Sequence, residues 1–275
     1  MIQFEHMCRF KVIAKPLAQF QIPAFGGSMI RGALGHALRH CQCRCYSDSP
    51  VHGSDCLYAS LFEPGAGHAF VLTPPPEGLV AAGQAFEFAV TLLKNDAKHV
   101  EALLSALKLA LRRGLGPNMV PCSIVAVQNV TPEITPLGQR VQLQLTSPWF
   151  IKYRGKALLA HQLTLHSFLI AVAQRQRMLI KEGFLQATIP GNQPLLALAD
   201  TLESRLQLSD VRGERRSNRQ HSKHPLNGIS GTIEITSAQP EGLQKLAAML
   251  YRAQWLHGGG KTSFGLGGLK IQPAL

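Results

Sequence analysis

The sequence predicts an α+β fold in which a split βαβ plan is built twice, with a helical and basic insertion in the second copy. Three observations predict it. Runs of strand period and helical period follow one another in the order strand, helix, strand, strand, helix, strand over the first half. The turn-rich stretch Thr-Pro-Glu-Ile-Thr-Pro-Leu-Gly at 131–138 then interrupts the pattern. After it the alternation of strand and helix resumes. The expected domains are 1–133, with a cysteine-rich insertion, and 138–275, with a basic segment and a glycine-rich loop. A chain of 275 residues, 45% hydrophobic, can bury one large core or two ordinary ones.

Each element has its own signal. Residues 4–14, 69–73, 85–94 and 123–130 are alternating or apolar runs and read as strands, while 28–40 and 99–113 repeat apolar residues at helical spacing. In the second half 139–145 reads as a strand and 158–182 as a long helix. Residues 191–231 fit the plan poorly, and a helix around 195–208 followed by a basic hairpin or loop is expected there. A strand at 232–236, a helix at 242–256 and a short strand at 264–271 complete the second unit.

Charge narrows the partner. The formal net charge is +12 and the isoelectric point is near 9.8. Residues 1–137 hold 11 Lys and Arg against 9 Asp and Glu, whereas 138–275 hold 17 against 7, so nearly all the excess lies in the second half. Such asymmetry suits a nucleic acid or an anionic membrane. No apolar run approaches the roughly 18 residues of a membrane span and no amino-terminal signal pattern is visible, so nucleic acid and a cytoplasmic location are expected.

The stretch His-Gly-Gly-Gly-Lys-Thr-Ser-Phe-Gly-Leu-Gly-Gly-Leu at 257–269 has six glycines in thirteen residues. Glycine lets backbone N–H groups come close to an anion, and Lys261 adds a mobile positive charge. A P-loop is excluded: the glycine required five positions before Gly260 is Trp255, and the run connects helix to strand rather than strand to helix. The expected role is a loop along a phosphate backbone, with His257, Gly258, Gly259, Gly260, Thr262, Gly265 and Gly267 at the contact. A tight turn alone would need one or two glycines.

The helix at 28–40 has two faces. Ile30, Ala33, Leu34, Ala37 and Leu38 form the core stripe, and Arg31, Gly32, Gly35, His36, Arg39 and His40 occupy the other side. Interior helical glycines cost roughly 1 kcal/mol each relative to alanine. A flat cationic face with two histidines would suit close approach of a sugar-phosphate chain and proton transfer near neutral pH. Packing of a neighbouring helix on the glycines would account for them equally well.

The second basic element runs from Arg212 to His224. Arg212, Arg215, Arg216, Arg219 and Lys223 face a single acid, Glu214, with Ser217, Asn218 and Gln220 interleaved. Arginine suits bidentate phosphate contacts and guanine edges, and Asn and Gln reach bases, so this segment is expected to bind RNA. The alternative is a solvated charge run.

Six cysteines are present, and four of them, Cys41, Cys43, Cys45 and Cys56, cluster tightly enough to offer thiolates to a tetrahedral zinc. The spacing is tighter than in usual zinc sites, and reduced thiols in a loop are the competing reading.

Taken together, Ser-Met-Ile-Arg-Gly-Ala-Leu-Gly-His at 28–36, the cysteine-rich stretch, Cys-Leu-Tyr-Ala-Ser-Leu-Phe-Glu at 56–63, Arg-Ser-Asn-Arg-Gln at 216–220 and the glycine run resemble the CRISPR-associated endoribonucleases of the RAMP superfamily that process precursor CRISPR RNA. The resemblance spans nearly the whole chain. It implies tandem ferredoxin-like (RRM-like) domains, a glycine-rich loop on the RNA backbone and cleavage within the CRISPR repeat without a metal cofactor. The implied partners are repeat RNA, mature CRISPR RNA and other subunits of a CRISPR effector complex. Metal-independent cleavage uses the 2′-OH upstream of the scissile phosphate and leaves a 2′,3′-cyclic phosphate and a 5′-OH. It needs a base, an acid and a cation for the phosphorane. His36 is the first candidate for acid or base and His40 the second, with His221, His224 and His257 in reserve; Arg31, Arg39 or Lys261 would supply the cation. Two other classes stay open, a non-cleaving RAMP scaffold that holds CRISPR RNA and a zinc-stabilised RNA-binding module outside CRISPR systems.

Overall fold

The structure is a computed structural model that describes residues 7–43, 52–53, 55–62, 69–94, 96–153, 155–217 and 222–273; at 214–217, 222–225, 240 and 273 the description is of the backbone alone. The chain divides into two compact units, Phe4–Thr131 and Pro132–Leu275.

The first unit consists of β1 (Cys8–Pro16), β2 (Phe20–Ile22), α1 (Gly26–Gln42), α2 (Leu57–Phe62), β3 (Phe70–Thr73), β4 (Gly78–Val80), β5 (Phe86–Leu92), α3 (Ala97–Arg113) and β6 (Cys122–Val130). Its main sheet is antiparallel in the order β3-β5-β1-β6, and β2 pairs with β4 in a small ribbon. Burial along β1 alternates: Cys8, Phe10, Val12 and Ala14 are buried and the residues between them are not. That period of two gives the sheet a single apolar face. α1 and α3 pack on each other, and their buried stripes recur at three- and four-residue spacing, Ile30, Leu34, Ala37 and Leu38 on one, Leu103, Ala106, Leu107, Ala110 and Leu111 on the other. α3 has defined ends. The Asp96 carboxylate accepts the backbone N–H of His99 at 3.1 Å, and Gly114 closes the helix at φ +113°, where a Cβ would stand 2.1 Å from the Met119 carbonyl oxygen.

The second unit consists of β7 (Arg140–Trp149), β8 (Lys152–Tyr153), β9 (Lys156–Ala157), α4 (Leu165–Lys181), α5 (Asn192–Ala199), β10 (Leu202–Ser217), β11 (Ser222–Ser237), α6 (Pro240–Leu256) and β12 (Leu269–Pro273). Its sheet runs β10-β11-β7-β12, again antiparallel. In both units the first four long strands therefore lie in the order second, third, first, fourth, with one helix after the first strand and another before the fourth. The core gathers Val141, Leu143 and Trp149 from β7, Phe168, Leu169 and Val172 from α4, Ile233 and Ile235 from β11 and Leu246 and Leu250 from α6.

Three expectations are corrected. The long helix begins at Leu165 rather than 158, because Thr164 caps it by accepting the Ser167 N–H; before it the chain leaves the β8–β9 ribbon at Ala157 and makes a single 3-10 turn at 160–162, flanked by Leu159 and Leu163. The helix expected at 195–208 is α5, which stops at Ala199. Leu202, Leu206 and Leu208 have spacings that serve either period, and pairing with β11, Leu206 opposite Ile233, makes them a strand. The closing strand starts at Leu269, since Thr262–Phe264 forms a 3-10 turn.

The Asp96 cap yields a test. His99 donates to the Asp96 carboxylate through Nδ1 at 2.6 Å as well as through its backbone, and this hydrogen bond holds the carboxyl below its ordinary range. Asp96→Ala should lower unfolding free energy by about 1 kcal/mol at neutral pH. A lowered carboxyl pKa contributes stability above the ordinary range and loses it as pH falls through the lowered value. Urea titrations should therefore show the two proteins converging in acid.

Candidate nucleic-acid interface

The long hairpin is the first part of the candidate interface. β10 and β11 pair without a break from Leu202 opposite Ser237 to Ser217 opposite Ser222. β7 accompanies β11 only as far as Ile229, opposite Trp149, with a register shift between Ile229 and Gly231. At that bulge Gly231 has φ +133° and a Cβ would lie 2.0 Å from the Gln207 carbonyl oxygen, and Gly228 sits on Pro148 with no room for a side chain. Beyond it, 211–217 and 222–228 run on as a two-stranded ribbon of about 20 Å. The basic residues lie there. Arg212 is exposed and pairs with Asn227, while the register sets Arg215 opposite His224 and Arg216 opposite Lys223. Like charges directly opposite are destabilising in a bare ribbon and favourable once a polyanion lies over them. Asn218, Arg219, Gln220 and His221 lie outside the described residues, as do the side chains of Arg215, Arg216, Lys223 and His224.

The glycine run is arranged differently from the expectation. Gly258, Gly260 and Gly267 donate their N–H groups to the carbonyls of Gly267, Phe150 and Pro148 at 2.8–2.9 Å, Gly265 donates to Thr262 and Gly268 to Ser147 Oγ. These donors hold the loop on the end of β7 and do not line an anion cradle. The glycines are needed for packing: a Cβ at Gly258 would come within 2.1 Å of the Trp149 ring, at Gly259 within 2.5 Å of the Phe150 carbonyl, and at Gly267 within 2.0 Å of the Gly258 carbonyl. His257 also leaves the expected set. It is fully buried, and its Nδ1 donates to the Leu266 carbonyl at 2.8 Å. What remains at the surface is a short arc. Gly259, Gly260, Lys261 and Phe264 are partly exposed, Lys261 adopts the left-handed conformation at φ +60° and its ammonium stands 4.3 Å from the centre of the Phe150 ring. A left-handed residue before a 3-10 turn turns successive N–H groups to one side, the geometry of an anion nest. The Thr262 hydroxyl, in a residue 1% exposed, has no hydrogen-bond partner among the described residues. Burying such a group without a partner costs about 1–3 kcal/mol.

A buried polar network that sequence reasoning missed supports this arc. Arg175 on α4 is 4% exposed and donates through Nε to the Leu256 carbonyl at the end of α6, at 3.3 Å. Gln176 donates to the Met249 carbonyl at 2.8 Å and accepts from Arg252 Nε at 2.9 Å. Burial pushes Arg175 down to about 10, still well above neutral pH, and lowers Arg252. Positive charge at the carboxy-terminal end of α6 complements the helix dipole and fixes where the chain turns into the loop. A signal existed in the sequence: Gln176 falls on the apolar stripe of α4, between Val172 and Leu179.

In the first unit α1 presents His36, Arg39 and His40, all exposed. The two glycines have different causes. Gly35 is buried, and a Cβ there would lie 2.3 Å from the Phe62 ring; Gly32 is exposed with nothing within 4 Å of a Cβ. Arg31 is engaged with α2, its guanidinium carbon 3.9 Å above the centre of the same Phe62 ring. Helix packing therefore explains Gly35, and open approach is left to Gly32 beside His36.

The cysteine cluster is also redrawn. Cys43, at the end of α1, and Cys56, just before α2, stand with Sγ atoms 3.5 and 3.6 Å from Nδ1 of His52, which was not among the expected ligands. The three donor atoms lie within 4.8 Å of one another. Cys41 is exposed on the last turn of α1 outside this group, and Cys45 lies outside the described residues. The signal in the sequence was a histidine four positions before Cys56.

The glycines of α1 can be separated by experiment. Gly35→Ala should destabilise the unit by roughly 1–3 kcal/mol through overpacking on Phe62, whereas Gly32→Ala should stabilise it by about 1 kcal/mol. Urea midpoints at unchanged slope measure both; equal stabilisation would mean that neither glycine is a packing residue.

Among the described residues no helix is long and apolar enough to cross a membrane. By sequence, residues 4–148, just over half of the chain, match the family described as AF_1859_N, N-terminal domain. No curated protein matches the chain. Among solved structures it resembles Thermus thermophilus Cas6 at 13% identity, covering 97% of this chain and 98% of that one with a TM-score of 0.59. It resembles the product of a Cas6-related gene from Pyrococcus furiosus at 10% identity, covering 98% and 100% with a TM-score of 0.60. A RAMP protein binding different RNA substrates aligns at 12% identity over 96% and 99%, with a TM-score of 0.54. At such identities the likeness is one of fold. The chain thus belongs by sequence to the AF_1859_N N-terminal domain family, and along nearly its whole length it has the fold of the Cas6-like RAMP proteins.

Proposed function

We infer that the protein binds CRISPR repeat RNA and cuts it without a metal cofactor. The observation that carries this reading is the Cas6-like fold over nearly the whole chain, joined to a surplus of positive charge in the half that holds the projecting ribbon. In this reading 1–133 and 138–275 are two ferredoxin-like domains, the strand order of each sheet supporting the term. The partners are repeat RNA, the mature CRISPR RNA and further subunits of a CRISPR effector complex.

The chemistry follows from RNA itself. A base removes the proton of the 2′-OH upstream of the scissile phosphate, and the 2′-oxygen attacks phosphorus. An acid protonates the departing 5′-oxygen, leaving a 2′,3′-cyclic phosphate and a 5′-OH. His36 is assigned to proton transfer, with His40 second, because both stand on the exposed face of α1. Arg39 or Arg31 supplies charge to the phosphorane; Arg31 is held in place by the Phe62 ring. Lys261, Thr262 and the arc at 259–260 are assigned to the RNA backbone. Arg212, Arg215, Arg216, Arg219 and Lys223 on the ribbon are assigned to phosphates, and Asn218 and Gln220 to bases.

Cleavage once per repeat with EDTA present, abolished by a 2′-deoxy substitution immediately upstream of the cut, is the expected result with a repeat RNA panel. Retained cleavage of the deoxy substrate would contradict the mechanism, and binding without cleavage would assign the scaffold role instead. His36→Ala should slow single-turnover cleavage by roughly 100-fold or more with little change in binding. An unchanged rate would transfer the role to His40.

The ribbon has its own test. Replacing Arg215, Arg216 and Arg219 together by Ala should weaken binding and flatten the dependence of log affinity on log salt, by about 0.7 for each single-strand phosphate that the variant no longer neutralises. Titrations of cognate and scrambled RNA at several salt concentrations measure it. A solvated charge run would leave affinity, slope and preference as they were.

A further inference from the structure

We propose that Cys43, His52 and Cys56 bind a zinc ion that ties the end of α1 to the start of α2. Three features of the cluster point to a metal rather than to hydrogen-bonded thiols. The first is distance. With Zn–S near 2.3 Å and Zn–N near 2.0–2.1 Å, tetrahedral coordination sets sulfur and nitrogen about 3.6 Å apart. The two S···Nδ1 separations are 3.5 and 3.6 Å. The second is valence. One imidazole nitrogen has a single in-plane lone pair and accepts one S–H well, whereas a cation accepts lone pairs from all three atoms at once. The third is burial: Cys56 is buried and Cys43 and His52 half-buried, with the Tyr58 ring 5.2 Å from the His52 ring.

The donor set is soft enough to select zinc, two thiolates and an imidazole, and three protein ligands leave one tetrahedral position for a further donor. Binding releases the two thiol protons, so affinity rises with pH. Cys8 and Cys122 cannot substitute for these thiols. They are buried in β1 and β6, and burial pushes both up to about 11.

The site has a structural purpose in the first unit. α2 has six residues, too few to hold a helix in isolation. Yet α2 carries Phe62, which fills the space at Gly35 and stacks on Arg31. One anchor is Ser60, whose Oγ lies 2.6 Å from His99 Nε2. The metal provides the other, at the amino-terminal end, where the Cys56 carbonyl accepts the Ser60 N–H at 2.9 Å. The ion thereby positions the α1 face that bears His36 without touching it. Metal binding at this site does not depend on RNA cleavage, and its test uses no RNA.

Metal analysis of the protein purified from zinc-supplemented medium should find about one zinc per chain. Replacing it with Co(II) should give a thiolate charge-transfer band and the intense visible bands of a tetrahedral ion. Cys43→Ser, Cys56→Ser and His52→Ala should each lose most of the zinc, and Cys41→Ser and Cys122→Ser should keep it. Stripping the metal should also speed hydrogen exchange at 57–62 while leaving β1 protected. Wild-type protein with neither zinc nor a cobalt charge-transfer band would overturn the proposal even if a variant failed to fold. So would zinc retained by the Cys43 and Cys56 variants, or exchange at 57–62 that metal removal leaves unchanged.

Discussion

The second unit depends on the seating of Trp149. Its indole is fully buried, its ring centre stands 4.8 Å from that of Phe168 and its Nε1 donates to the Gly268 carbonyl at 2.7 Å. A buried indole must have such an acceptor, and the acceptor is supplied by the loop that follows α6. The loop can deliver it only by running directly over the ring, which leaves no space for a Cβ at Gly258. From that contact the rest follows. Gly267 must pass under the Gly258 carbonyl, Gly260 pairs with Phe150 and the chain emerges at Lys261 in a left-handed turn. The buried guanidiniums of Arg175 and Arg252 fix the end of α6 from the other side.

The first unit uses the same device on a smaller scale. An aromatic ring, Phe62, occupies the place where Gly35 has no side chain, and the adjacent Arg31 covers the ring face. In both units a glycine next to an aromatic ring sets the position of a cationic residue. The candidate surfaces are thus supported by packing rather than formed by flexible glycines.

Much of the fold was legible in the sequence, because α1, α3 and α6 and the strands β1, β5 and β7 each carry an undivided period. The errors fell where the period is shared. Leu202, Leu206 and Leu208 satisfy a helix or a strand, and only the partner strand at 229–237 decides between them. The ribbon was expected as a hairpin or loop but its length was not, since continuous pairing through polar residues leaves no apolar trace. For the candidate interface, composition singled out the basic segment and the glycine run but misjudged what the glycines do. Backbone N–H groups directed inward and outward come from the same residues, and the choice lies in contacts with Trp149 and Phe150 more than a hundred positions away. His52 was missed for a related reason: ligands are joined by distance in space, and its position four residues before Cys56 was the one trace of it in the sequence.

We propose that RNA lies on the ribbon and on the exposed arc around Lys261, with the packed glycines behind it. Zero-length photo-crosslinking of bound repeat RNA, with the attached peptides read by mass spectrometry, tests this placement. Adducts are expected within 212–223, at Phe264 or its neighbours 259–261, and on the α1 face near His36, with none at His257 or Gly267. Adducts confined to the exposed side of β6 around Val125 and Val127, with the ribbon and the Lys261 arc unmarked, would contradict it.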